Sequence, residues 1–144
     1  MSDAVVREIV DAVNAVVRTA DNRDWAGCRA CFTPRVEVDH DAGSKGLAIL
    51  DSGALVAHWE EALGCFAATL HMVTNHQVEV AGDQATCRSC VLGVHTASET
   101  RAGNLYLSFG TYEHCLVRIA GAWKVAGVVY RQVYALGNPS LFPH

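Results

Sequence analysis

Residues 69–95 read TLHMVTNHQVEVAGDQATCRSCVLGVH, and the architecture turns on this stretch. Two runs rich in valine and threonine flank Ala81-Gly82-Asp83. Extended runs on either side of a tight glycine turn form a β-hairpin, because glycine reaches the left-handed backbone region that such turns require. Strand residues alternate between faces. His71 therefore shares a face with Thr69, Val73 and Asn75, while Leu70, Met72 and Thr74 face the other way. Counting outward from Gly82 sets His71 opposite Gly93 and makes His95 its diagonal neighbour. Two imidazoles belong close together on one face.

The pattern extends in both directions from this hairpin. Residues 105–119 and 122–134 form two further extended runs joined at Ala120-Gly121, and a polar connection over 96–104 precedes them. On the N-terminal side, residues 4–19 carry Val5, Ile9, Val13, Val16 and Val17 at helical spacing, with Asp3 as the expected cap. A short second helix fits residues 24–32 and is expected to stop before Pro34. Residues 35–39 alternate as a strand, and Gly43 to Gly46 reads as a loop. A third helix fits residues 51–66, capped by Asp51 or Ser52, with Leu55, Trp59, Leu63 and Phe66 as its apolar stripe. Early helices followed by a long antiparallel meander predict an α+β domain spanning residues 1–144. Strands of this length twist and curl. Three helices then cover the concave face, making a cone with a small-ligand pocket at its mouth.

Charge and composition narrow the function. The net charge is -4 with neutral histidines, and no basic stripe is available to displace counterions from a phosphate backbone, so nucleic acid is not an expected partner. The start, Met1-Ser-Asp3, is acidic where a signal peptide is basic, and no apolar run has membrane-spanning length. A cytoplasmic protein with reduced thiols is expected, and no membrane partner. Four of the six cysteines form two CxxC pairs, Cys28 with Cys31 and Cys87 with Cys90. The second pair lies in a strand pattern, where residues three apart face oppositely and cannot share one metal. All are read as small core residues, with no zinc site and no redox pair.

Acid–base chemistry has a natural location. Asp21 follows the first helix directly and opens the turn leading to Trp25. Taken alone it is a turn residue, and His71 alone is a satisfied core histidine. Together they make a constellation, since a carboxylate on one imidazole nitrogen fixes the tautomer and leaves the other nitrogen as a base. There is no GxSxG motif, so a serine nucleophile has no support. Asp21, His71 and His95 are the catalytic candidates, and His40, Tyr112, Trp25 and Arg131 are the candidate substrate-binding residues. Tyr112 and His114 share a face with Tyr106, Ser108 and Gly110, and Tyr130 lies beside Arg131. A mixed histidine–carboxylate metal site is the weaker alternative, lacking close histidine spacings, and no cofactor is expected.

Asp21-Asn-Arg-Asp-Trp25, Phe32 with Val36 to Asp39, Thr69-Leu-His-Met-Val-Thr-Asn75, Gly110-Thr-Tyr112 and Gly121-Ala-Trp-Lys-Val125 together resemble the SnoaL-like branch of the NTF2-like superfamily. The resemblance covers nearly the whole chain and is strongest to the scytalone dehydratases and lindane dehydrochlorinases. It implies a cofactor-independent lyase or isomerase with an aspartate–histidine dyad at Asp21 and His71. A second histidine of the dehydratases is matched by His95, and their asparagine falls at Tyr112. Their two water-holding tyrosines read Ala20 and His40, and the lysine and arginine of the dehydrochlorinases read Val16 and Val128, with Arg131 nearby. The leaving-group apparatus thus departs from both. The resemblance also implies a dimer or trimer formed through the outer sheet face, where Leu105, Leu107 and Phe109 lie. The superfamily holds non-catalytic binding and assembly domains too, and that alternative stays open.

Overall fold

The structure, a computed structural model, describes residues 2–39, 46–97 and 103–141. Helix α1 (Asp3–Asp21) and helix α2 (Trp25–Ala30) lead into strand β1 (Phe32–Asp39). Strand β2 (Ala48–Asp51), helix α3 (Ser52–Gly64) and the long strands β3 (Ala68–Ala81), β4 (Gln84–Thr96), β5 (Leu105–Ile119) and β6 (Ala122–Gly137) follow. A single 3-10 turn, Pro139–Leu141, comes after them. The strands form one six-stranded sheet in the order β2-β1-β6-β5-β4-β3. All pairings are antiparallel except β1 with β6. This is the expected α+β architecture, with three helices on a curved, open sheet. No helix among the described residues is long and apolar enough to cross a membrane.

Local chemistry explains most boundaries. Ser2, rather than Asp3, caps α1 by accepting from the Val5 N–H. Asp24 caps α2 through Gly27, and Asp51 caps α3 through Gly53 and Ala54. Such caps satisfy backbone donors that the first turn leaves unpaired. Two expectations about the early strands need correction. Helix α2 ends at Ala30, and Pro34 lies inside β1 instead of stopping a helix. The β1–β6 register shifts between Phe32 and Glu37, so the missing proline N–H falls where the ladder is already interrupted. Strand β2 was not expected at all. It is four residues long and pairs Ala48 to Asp51 with β1, too short to carry a period of its own.

Bulges bend the sheet. Asn75 and His76 oppose Ser89 alone between the Thr74–Cys90 and Gln77–Arg88 pairs, and Asn75 takes φ 57°. In β6, Ala126 is extra between the pairs of Cys115 and Leu116, and Val133 is extra between those of Phe109 and Gly110. Each added residue bends its strand and reverses the side-chain phase beyond it. Asn75 is accordingly exposed and does not share the inward face of His71 as strict alternation predicts. Ile9, Val13, Val16 and Ala20 of α1 pack on Val36, Leu116, Val125 and Val128 of the sheet. Val16, Ala20 and Val128 of that apolar layer border a cavity between α1, α3 and the strands.

Candidate active site

The C-terminus of α1 delivers a carboxylate to the edge strand. Arg23 sits at φ 59° just past the helix. Its N–H bonds the Ala20 carbonyl, and the Asp24 N–H bonds the Thr19 carbonyl. This paired closure satisfies terminal carbonyls and turns the chain sharply, usually at a glycine. It fixes the last helical residue, Asp21, against β3. Oδ2 of Asp21 accepts the backbone N–H of His71 at 2.7 Å. Oδ1 lies 2.7 Å from Nδ1 of His71 and accepts the Thr69 hydroxyl at 3.0 Å. The Arg23 guanidinium supports this set, donating to Thr69 Oγ1 at 3.2 Å and to the Leu63 carbonyl at 3.0 Å. It ties the ends of α1 and α3 to β3.

The electrostatics follow from these contacts. Burial alone would raise the Asp21 carboxyl. The hydrogen bond from the His71 ring, the charge on that ring, the His71 N–H and the Thr69 hydroxyl together outweigh burial and hold it below its ordinary value. Asp21 is thus an acceptor-only carboxylate near neutral pH, so the proton between it and His71 resides on Nδ1. In the neutral ring Nε2 of His71 is then the nitrogen with the lone pair. The two side chains are 9% and 14% exposed, dry enough for the contact to remain strong.

His71 borders a cavity of about 440 Å³. Val16, Val17, Ala20, Trp59 and Leu63 form the helical wall, and Val91 and Val128 line part of the sheet floor. His95 is buried beside His71, with ring centroids 5.5 Å apart and ring planes perpendicular. Burial first, then the neighbouring His71 charge, pushes His95 down to about 4, so it is neutral. Its Nδ1 lies 3.3 Å from the Tyr106 carbonyl oxygen. A carbonyl only accepts, so that nitrogen carries the proton and Nε2 is an acceptor. His95 in this form presents no N–H from Nε2 to a substrate oxygen.

The remaining candidates divide. Tyr112 lines the cavity, beside the rings of Tyr130 and His114, and burial pushes its phenol upward. Trp25 does not line it. As the first residue of α2, it packs on the apolar layer. Arg131 is exposed on the outer face, paired with Thr111. A period of two counted from buried Trp123 places Arg131 inside, but the extra Ala126 reverses the phase and turns Val128, Tyr130 and Gln132 inward instead. His40 lies outside the described residues. Ser108 and Tyr130, named in the sequence beside Tyr112 and Arg131, line the cavity, and so does Gln132, which the sequence reading did not single out, as it did not single out Arg23. Of the cysteines, Cys28 and Cys87 are buried while Cys90 is exposed. Burial pushes the Cys28 thiol up to about 11, and it donates to the Val16 carbonyl. It is a packing residue rather than a nucleophile.

A SnoaL-like domain model matches residues 4–129. Among solved structures, a protein from Kribbella flavida is similar with a TM-score of 0.87 and 25% identity, over 96% of this chain and 98% of that one. A candidate scytalone dehydratase from Novosphingobium aromaticivorans is similar with a TM-score of 0.76 and 20% identity, over 92% and 87% of the two chains. A type 2 hexachlorocyclohexane dehydrochlorinase has a TM-score of 0.77 and 22% identity, over 94% and 89%. No curated protein matches the chain in sequence.

Proposed function

The chain belongs to the SnoaL-like domain family, and from that premise we propose that it is a cofactor-independent lyase or isomerase that removes a proton from a small, largely apolar, cyclic substrate. The observation that carries this reading is the 2.7 Å contact of His71 Nδ1 with Asp21, with the same ring bordering the cavity. Nε2 of His71 accepts a proton from a substrate carbon, and Asp21 stabilises the imidazolium that forms. The apolar walls select a largely apolar ring and exclude bulk water, which strengthens the interaction of the ion pair. The dehydratase and dehydrochlorinase among the similar structures bear the names of elimination enzymes, and the proposal extends that class to this chain. We further propose a homodimer or homotrimer formed through the outer sheet face. Two cross-strand rows, Leu70–Val94–Leu107–Leu136 and Met72–Leu92–Phe109–Tyr134, support it. Leu70 and Tyr134 are 56% and 59% exposed there, an apolar surface suited to an interface.

The test of catalysis needs no knowledge of the leaving group. 2-Tetralone, a small cyclic ketone with acidic C–H bonds, is incubated with the protein in D2O and its deuterium content is followed by NMR. Enzyme-dependent exchange is expected, and its loss in His71→Ala with an unchanged circular dichroism spectrum. Exchange at the wild-type rate in that variant would overturn the base assignment. Absence of exchange in the wild type, with a His71→Ala protein that no longer folds, would instead make the dyad a brace between α1 and β3.

A further inference from the structure

Two glycines shape the cavity floor. In one cross-strand row His71 of β3 pairs with Gly93 of β4, and Gly93 with Ser108 of β5. A Cβ on Gly93 would lie 3.2 Å from His71 Cδ2, 3.3 Å from His71 Nε2 and 3.1 Å from His95 Cε1. The missing side chain therefore leaves bare floor beneath the basic nitrogen. On the far side, a Cβ on Gly110 would lie 2.8 Å from Cε2 and 3.1 Å from Cζ of Tyr130. The Tyr130 ring is laid across that glycine, and its hydroxyl is hydrogen-bonded to Ser108 Oγ.

The group at this far side is a built set of donors and acceptors. Ser108 Oγ donates to Gln132 Oε1 at 3.2 Å, and the Tyr106 hydroxyl donates to the same oxygen at 3.2 Å. All four residues line the cavity, opposite its apolar helical wall. The Ser108 hydroxyl has one proton and two acceptors within reach, Gln132 and Tyr130. Turned toward Tyr130, it directs the phenol proton to an incoming oxygen, while Tyr106 continues to satisfy Gln132. Burial raises the Tyr130 phenol above its ordinary value, so it stays a donor at neutral pH.

We propose that Tyr130, backed by Ser108 and Gln132, binds the carbonyl oxygen of the substrate across the Gly93 gap from the His71 base. The backbones of His71 and Ser108 stand two strand spacings apart, about 9.5 Å. That span accommodates a ring with an acidic C–H at one end and a carbonyl oxygen at the other. This assignment rests on the proton-abstraction reading and adds the substrate class, a cyclic ketone or enone. Nε2 of His71 takes the proton from the carbon next to the carbonyl or conjugated with it. The C–H electron pair becomes the new C=C bond, and the C=O π pair moves onto oxygen. Tyr130 keeps its proton and donates a hydrogen bond to the enolate. Return of the proton from the His71 imidazolium to the same carbon gives exchange, and return to a conjugated carbon gives isomerisation. It also fills the donor role that the tautomer of His95 leaves open.

The probe is 2-naphthol, a planar analogue of the enol of 2-tetralone whose fluorescence reports both binding and ionisation. Loss of one hydrogen bond to its oxygen in Tyr130→Phe is expected to weaken binding about tenfold or more and to shift the bound probe toward the neutral phenol. Ser108→Ala is expected to weaken it by a smaller factor with the same spectral direction. Each variant is checked by circular dichroism, and the same pair is measured in a His71→Ala background, where catalysis plays no part. Equal affinity and spectrum in Tyr130→Phe and Ser108→Ala, or no 2-naphthol binding to the wild type, overturn the oxygen site. Deuterium exchange into 2-tetralone separates the two ideas. Wild-type exchange with unchanged naphthol binding in Tyr130→Phe sinks the oxygen site alone. Tyr130-dependent naphthol binding without exchange sinks the proton-abstraction reading and leaves a site for a planar oxygen ligand.

Discussion

Replacing Asp21 by asparagine tests the dyad with the smallest change of shape. The carboxylate receives three donors, the His71 backbone N–H and the Nδ1–H on opposite oxygens and the Thr69 hydroxyl on Oδ1. An amide has one acceptor oxygen and so cannot serve both sides. If the amide oxygen takes the Oδ1 position, its NH2 faces the His71 backbone N–H across 2.7 Å. That leaves a part-buried strand amide unsatisfied, at about 1–3 kcal/mol. If the oxygen takes the Oδ2 position, the NH2 points at Nδ1, and the imidazole moves its proton to Nε2 to accept it. Thr69 can turn its hydroxyl and accept from both the amide and Arg23. The second arrangement leaves no donor facing a donor, so it is the expected one. The fold is then expected to lose about 1.5–3 kcal/mol, the scale of hydrogen bonds to a charged group. The basic lone pair is lost, and a dyad in the wrong tautomer loses roughly a thousandfold to ten-thousandfold in rate. Stability is read by urea denaturation, the tautomer by ring 15N shifts of His71, and activity by deuterium exchange. The acid limb of stability should flatten too. A depressed carboxyl contributes fully above its ordinary value of 3.8 and loses that contribution as pH falls toward its folded value. An Asp21→Asn protein that keeps the proton on Nδ1 and exchanges within tenfold of wild type would refute the reasoning.

Gly93→Ala inserts a methyl 3.1–3.3 Å from both imidazoles. His71, held by two bonds to Asp21, has little room to yield. Exchange should fall about tenfold to a hundredfold, while stability, measured by urea denaturation, should change by no more than about 1 kcal/mol; full activity would show that the base stands elsewhere. His95→Gln should flatten the fall in stability between pH 6.5 and about 4. In that window the unfolded chain binds a proton that the folded His95 refuses, giving a slope of up to about 1.4 kcal/mol per pH unit, and an unaltered slope would contradict the buried neutral ring. His71, Phe66 and Tyr106 pack against that ring, with Asp21 and Arg23 the nearby charges that act on it. Arg23→Ala should cost about 1–3 kcal/mol through its bonds to Thr69 and Leu63, read by thermal and urea unfolding, and an unchanged midpoint would remove it as the clamp of α1, α3 and β3.

Helix α1, helix α3, the four long strands and the 81–83 turn were legible from local periodicity and glycine placement. Local pairing carried further than element type. A hairpin register is set by its turn, so His71 opposite Gly93 could be counted from Gly82, and the structure has that pair. The reading failed where one extra residue intervened. Asn75 turned outward past its bulge, and Arg131 turned outward past Ala126. Nothing in a period of two announces the residue that breaks it. Strand β2 and the proline inside β1 escaped for the related reason that short edge pairing depends on a neighbour distant in sequence.

The amino-acid order alone determined the α+β class, the shared face of two histidines and an aspartate at the end of the first helix, because these follow from repeats and turns spanning a few residues. Tertiary packing decided the rest. It set the carboxylate on Nδ1, buried His95 into a neutral tautomer, removed Trp25 and Arg131 from the cavity, and laid Tyr130 across Gly110 beside Ser108. Desolvation and hydrogen-bond direction belong to the environment of a group, and that environment is assembled from strands far apart in the chain.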